Sequence, residues 1–144
     1  MKHSVIAMMF VCLAGCGLTL EGEVSRTTIM SCPDKPNCVS STAPRDGSHF
    51  IEPLQYGGED HAALDRLRAV MKGLPRTKLV DDEGYFLRYV VRTRIFRFAD
   101  DVEFCLDPGR RVIDVRSASR VGHSDLGVNR KRVEEIRARL DAAK

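Results

Sequence analysis

Apolar and polar positions alternate differently in successive stretches of the chain. Ala63, Leu64, Leu67, Val70 and Met71 recur at helical spacing, which predicts a helix over Glu59–Lys72. Glu59 and Asp60 suit its positive N-terminal end, Gly73 stops it and Pro75 follows. Thr77–Val80 reads as a short strand. From Tyr85 to Phe98 the period is two: Tyr85, Leu87, Tyr89 and Val91 face one way, Arg88, Arg92 and Arg94 the other. That predicts one long strand, with a bulge where the phase flips at Ile95–Phe96. Val102, Phe104 and Leu106 mark a further strand over Asp101–Leu106, and Asp107-Pro108-Gly109 makes a hairpin turn. In the returning strand, Arg111–Ala118, Ile113, Val115 and Ser117 share one face and Asp114 and Arg116 the other. Gly122 and Gly127 bracket a turn, and Val133, Ile136 and Leu140 define a final helix with Asp125 or Asn129 as its N-cap.

Ahead of these elements, Ser40, Ser41, Pro44, Gly47, Pro53 and Gly57-Gly58 forbid long regular structure, so Val39–Gly58 reads as extended loop. The expected fold class is α+β: a single domain over residues 32–144, with a three- to four-stranded antiparallel sheet packed by two helices. An antiparallel sheet can keep one side in water. The side bearing Arg88, Arg92, Glu103, Asp114 and Arg116 is expected to be such a solvated ion-pair ladder.

The N-terminus follows another logic. Lys2 precedes an uninterrupted apolar run, Val5–Gly15, too short to span a bilayer and suited to the core of a signal peptide. It closes on Leu13-Ala14-Gly15-Cys16, which resembles the lipobox of bacterial lipoproteins. The resemblance implies removal of residues 1–15, diacylglycerol on the Cys16 sulfur and acylation of its new amino group. Several acyl chains anchor a protein stably where one binds reversibly. Residues 16–31 are then a flexible tether. The expected address is the bacterial cell envelope, lipid-anchored and facing the periplasm. Gly17, in place of aspartate, favours the outer membrane in a cell with two.

That compartment is oxidising, so cysteine usage carries information. Cys12 leaves with the signal, Cys16 is blocked by lipid, and Cys105 lies on a predicted strand where a buried small hydrophobe is the usual role. Cys32 and Cys38 are left to form a disulfide. Closing the seven residues Cys32–Cys38 is worth about 2–2.5 kcal/mol by chain-entropy reasoning, and less where Pro33 and Pro36 already stiffen them. The spacing is not the C-x-x-C of redox dithiols, and no four-ligand set with zinc-site spacing occurs. No metal or cofactor is expected. The formal net charge of +3 and the absence of tryptophan exclude a nucleic-acid footprint or a stacking platform for bases.

The charge is uneven, however. Arg110 to Arg132 holds seven basic residues against Asp114 and Asp125. Here a strand end, a turn and a helix start bring together Arg116, Ser117, Ser119, Arg120, Ser124, Asp125, Asn129 and Arg130. Free N–H groups at a helix start receive anions readily. One reading is therefore an anion-accepting corner of a non-catalytic binding or scaffolding module, with an anionic lipid, glycan or protein as partner. The other is a corner whose arginines bond Asp114, Asp125 and Glu134 and simply fix the turn. A hydrolase or transferase using Ser124 or Asp125 is the catalytic alternative. Against it, contiguous His123-Ser124-Asp125 cannot align as a triad, and Gly122–Gly127 misses the nucleophile-elbow spacing by one residue. Asp100 and Asp101 are strand neighbours pointing to opposite faces, so they form no acid/base pair.

Pro36-Asn37-Cys38-Val39-Ser40-Ser41, Asp100-Asp101-Val102-Glu103-Phe104, Arg116–Arg120, Gly122 with Ser124–Arg130, and Arg132-Val133-Glu134 together resemble the domain-of-unknown-function family numbered 1499. The likeness extends over about Cys32 to Leu140. It implies a fold unit and a setting among exported or membrane-associated bacterial proteins, and brings no activity with it. His123 stands where members usually carry Tyr, which implies that the position does not need an imidazole.

Overall fold

The computed structural model describes residues 28–143. The signal segment, Cys16 and the tether as far as residue 27 lie outside the described residues. Eight elements follow in order: β1 (Cys38–Ser40), β2 (Leu54–Gln55), α1 (Asp60–Lys72), β3 (Thr77–Glu83), β4 (Phe86–Arg92), β5 (Ala99–Asp107), β6 (Val112–Ser119) and α2 (Val128–Ala142). The class is α+β, and every strand pairing is antiparallel.

The sheet has six strands, not three or four. Its path is β1-β6-β5-β4-β3, with β2 also paired to β6. The two additional strands come from the stretch read as extended loop. At three and two residues they are too short to show a period, and they exist because the long edge of β6 offers them partners. The predicted strand over 85–98 ends at Arg92, and residues 93–98 form the connection to β5. The phase flip at Ile95–Phe96 is thus a loop, while the register shift lies in β3 between Leu79 and Asp81.

Both helices cover the face carrying Leu87, Tyr89 and Val91 of β4, Val102, Phe104 and Leu106 of β5, and Ile113 and Val115 of β6. Leu64, Leu67 and Met71 of α1 and Val133, Ile136 and Leu140 of α2 close the core over them. Burial of such side chains at roughly 1.5–3 kcal/mol each is the main favourable term in folding.

The opposite face corrects the sequence reading. Register places Arg88, Glu103, Arg116 and Ser40 in one row across β4, β5, β6 and β1. The row is not a solvated ladder: Glu103 is 1% exposed and Arg116 7%, with Asp114, Cys105 and Phe86 also buried. The entering chain rests against it, the Met30 N–H donating 2.9 Å to Glu103 Oε2. From there the chain reaches β1 through the Cys32–Cys38 disulfide. Cys105 is buried and takes no part in a disulfide.

Candidate functional site

The β6–α2 corner is built by sheet periodicity. Ser117 and Ser119 continue the phase of Ile113 and Val115, so they point toward α2, while Arg116 points to the opposite face. There Arg116 Nη1 lies 3.4 Å from Glu103 Oε1 in a buried pair. Asp100 pairs with Ser119 across the strands and shares its face, whereas Asp101 faces the other way. Gly127 takes φ 77°, a conformation without steric cost only for glycine, and is itself the N-cap of α2, in place of Asp125 or Asn129.

Asn129 is 0% exposed and sits at the centre. Its Oδ1 accepts from Ser117 Oγ and Arg132 Nη1, each at 2.6 Å. Its Nδ2 donates to Asp125 Oδ2 at 2.8 Å, and to the Asn37 carbonyl and Ser119 Oγ, each at 3.0 Å. Arg132 reaches on to Ser117 Oγ at 3.0 Å and Asp100 Oδ2 at 2.5 Å. The start of α2 already holds an anion of the chain's own: Asp125 accepts from the backbone N–H of Gly127 at 3.0 Å and of Asn129 at 2.7 Å. Burial alone would raise the Asp125 carboxyl. The backbone N–H groups of Asn129 and Gly127 with the Asn129 amide more than offset this and hold it below the usual carboxylate range.

The structure therefore gathers Ser117, Ser119, Asp125 and Asn129, and adds Asn37, Asp100 and Arg132, which the sequence reading left out. One signal for Asp100 was available. It is in phase with Val102, Phe104 and Leu106, and a carboxylate on an apolar strand face requires a partner. Three other named residues are engaged elsewhere. Arg120 grips Asp101 with two 2.8 Å bonds; this pairing, reinforced by the charges of Arg88 and Arg116, holds the Asp101 carboxyl below its ordinary value. Arg130 donates to the carbonyls of Ser48 and Phe50, both at 2.8 Å. Ser124 Oγ accepts from the Leu126 N–H at 3.3 Å.

Two clefts flank this knot. The first, about 360 Å³, lies between the β3–β4 end of the sheet and the first turns of α2. Arg76, Arg92, Arg94 and Lys131 line it. Among the described residues none of these four is in an ion pair: Arg76 and Arg92 donate only to the carbonyls of Arg92 and Arg97. Its remaining cation, Arg132, is held by Asp100, and its acid, Glu135, by Arg139. The second cleft, about 260 Å³, has a polar floor of Asp100, Ser119, Ser124 and Asp125 under Phe96, Phe98, Val121, Leu126 and Val128. Asp100 Oδ1 is buried there without a hydrogen-bond partner. No group of three or more His, Cys, Asp or Glu able to hold a metal ion occurs among the described residues.

These features define a small α+β domain with a polar knot binding strand to helix and an unpaired basic cleft beside it. The chain matches, over residues 28–140, the family described as protein of unknown function (DUF1499), and it belongs to that family. No curated protein matches it.

Proposed function

We propose that the protein is a lipid-anchored envelope lipoprotein whose domain is a non-catalytic binding module for an anionic partner. The acceptor in this reading is the basic cleft rather than the β6–α2 corner. One observation carries it: four cations (Arg76, Arg92, Arg94 and Lys131) line a single cleft and have no carboxylate partner among the described residues. By contrast Arg110, Arg116, Arg120 and Arg132 are each paired with a carboxylate, Arg110 with Asp107 and Asp114 and the others with Glu103, Asp101 and Asp100. Unpaired like charges repel one another, so an arrangement that keeps them together favours a bound anion. Phosphate and carboxylate groups fit equally.

The test is a titration of the full chain with inorganic phosphate and with glycerol 3-phosphate, followed by NMR. Shifts should map to Arg94, Lys131 and the start of α2, weaken with added salt, and weaken in Arg94→Gln and Lys131→Gln. Arg120→Ala, whose guanidinium is committed to Asp101, should bind normally. Shifts that ignore the cleft variants would refute the assignment. Intact mass of the mature chain tests the anchor: acylation at Cys16 adds the mass of its acyl chains, and an unmodified N-terminus rules it out.

The second cleft supports a catalytic alternative, because a pocket does open beside Ser124 and Asp125. Against this, no hydrogen bond joins Ser124 to Asp125 or His123 among the described residues, and an Asp held below its ordinary pKa is a weak base. Turnover of ester, phosphoester or glycoside substrates above a Ser124→Ala control would establish it.

A further inference from the structure

Six of the nine large apolar side chains exposed among the described residues lie at one end of the domain. Ile95, Phe96 and Phe98 belong to the β4–β5 loop, and Val121, Leu126 and Val128 to the β6–α2 connection. Five of them rim the second cleft, and Phe96 and Phe98 stack with their centroids 5.5 Å apart. Arg94 and Arg97 belong to the same loop, and Lys131 lines the adjoining first cleft together with Val128. We infer that this end of the domain inserts its apolar tips into the surface of a bilayer carrying anionic headgroups. The inference deepens the proposed function by naming the anion as the phosphate of membrane lipid.

The shape of the patch favours a bilayer over a small ligand. Residues that wall a groove are half covered by their neighbours, whereas Phe96 is 74% and Leu126 87% exposed, as protruding tips are. Apolar tips with cations in the same loop and in the adjoining cleft match the interface, where rings and aliphatic chains enter the acyl boundary and Arg and Lys stay at the phosphates. A second copy fits worse. A two-fold contact places a patch on itself and would set Arg94, Arg97 and Lys131 against their own images. The anchor does not dictate which face meets the membrane. Thirteen residues lie between Cys16 and Met30, a contour of up to about 50 Å. Orientation is thus left to the domain's own surface.

The chain contains no tryptophan, so one introduced residue reports its surroundings unambiguously. Phe96→Trp places it at the tip. Pro108→Trp places it in the β5–β6 turn, at the far end of nine-residue β5. The full acylated chain is reconstituted on phosphatidylcholine vesicles with and without phosphatidylglycerol. On anionic vesicles the tryptophan at position 96 should emit to the blue and be quenched by lipids brominated along the acyl chain, while that at position 108 stays in water. Each cation near an anionic surface is worth about fivefold in partitioning, so Arg94→Gln/Arg97→Gln/Lys131→Gln should lower insertion about a hundredfold. Three results would overturn the inference: a position-96 signal as watery as that at 108, insertion equal on neutral vesicles, or a blue shift without vesicles that grows with protein concentration. If glycerol 3-phosphate still bound the cleft, only this inference would fall. Absence of both signals would end the anion-accepting reading as well.

Discussion

Asn129 offers the sharpest test of how the β6–α2 corner works. Its side chain makes five hydrogen bonds, and at about 1 kcal/mol each a simple sum for Asn129→Ala approaches 5 kcal/mol. The geometry argues for less. After truncation Arg132 keeps Asp100 and Ser117, Asp125 keeps two backbone N–H groups, and the Asn37 carbonyl keeps the Ser119 N–H at 3.0 Å. The Ser117 hydroxyl loses its acceptor and the Ser119 hydroxyl its donor, and a small cavity opens. We therefore expect a loss of about 2–3 kcal/mol. Asn129→Asp leaves the volume unchanged, yet it replaces the Nδ2 donor with an acceptor facing Asp125 Oδ2, 2.8 Å away, and the Asn37 carbonyl. Arg132 recovers only part of this, because Asp100 already engages it. The isosteric change should thus cost more than the truncation, about 4 kcal/mol. Urea unfolding at pH 7 with a common m-value measures both. If Asn129→Asp proves no less stable than Asn129→Ala, the network is not what holds the corner.

Three further outcomes follow from the same contacts. Glu103→Ala leaves buried Arg116 alone and should cost about 3–5 kcal/mol, whereas Arg120→Ala removes a guanidinium 47% exposed at its side chain and should cost no more than about 1 kcal/mol; thermal midpoints separate the two. The Asp101 and Asp125 carboxyls are both held below their ordinary values, so their stabilising contribution is complete above an unfolded pKa of about 3.9 and is lost as pH falls through the lower folded values. The unfolding midpoint should be level from neutral pH to about 5 and drop below about 4, less steeply in Asp101→Asn. Burial, then the charges of Asp114 and Asp107, push the Cys105 thiol up, so peptide mapping should find it unmodified by iodoacetamide in the native chain and labelled in urea.

The long elements were legible in sequence because their apolar phase is unbroken over several residues: α1, the run Leu87–Tyr89–Val91, Val102–Phe104–Leu106, and α2. Two kinds of feature were not. β1 and β2 owe their existence to β6, and strands of three and two residues carry no period of their own. The burial of Glu103 and Arg116 depends on the entering chain lying over that face, where Met30 meets Glu103. Alternation within a strand tells which residues share a side, and says nothing about what covers it. The same limit explains Arg116 in the candidate corner, since adjacency in sequence placed it beside Ser117 while the pleat sends the two to opposite faces. The four cations of the basic cleft come from the turn before β3, the end of β4, the loop after it and the start of α2. No single stretch displays them together.

The segments that carry the family likeness converge on the knot. Asn37 precedes β1, Asp100 opens β5, Ser117 and Ser119 end β6, and Asn129 and Arg132 begin α2; all meet within one hydrogen-bonded network. Those groups are nearly all engaged with one another, so they account for a corner that fixes α2 on the sheet and pins the disulfide-bearing entry to both. A surface that binds needs the opposite property, groups left without partners. Among the described residues that property belongs to the Arg92–Phe98 connection and to Lys131 of α2 beside it. A motif dense in polar residues thus marks what the fold requires, and the place to seek a partner is the adjoining surface, where charge and apolar area remain uncompensated.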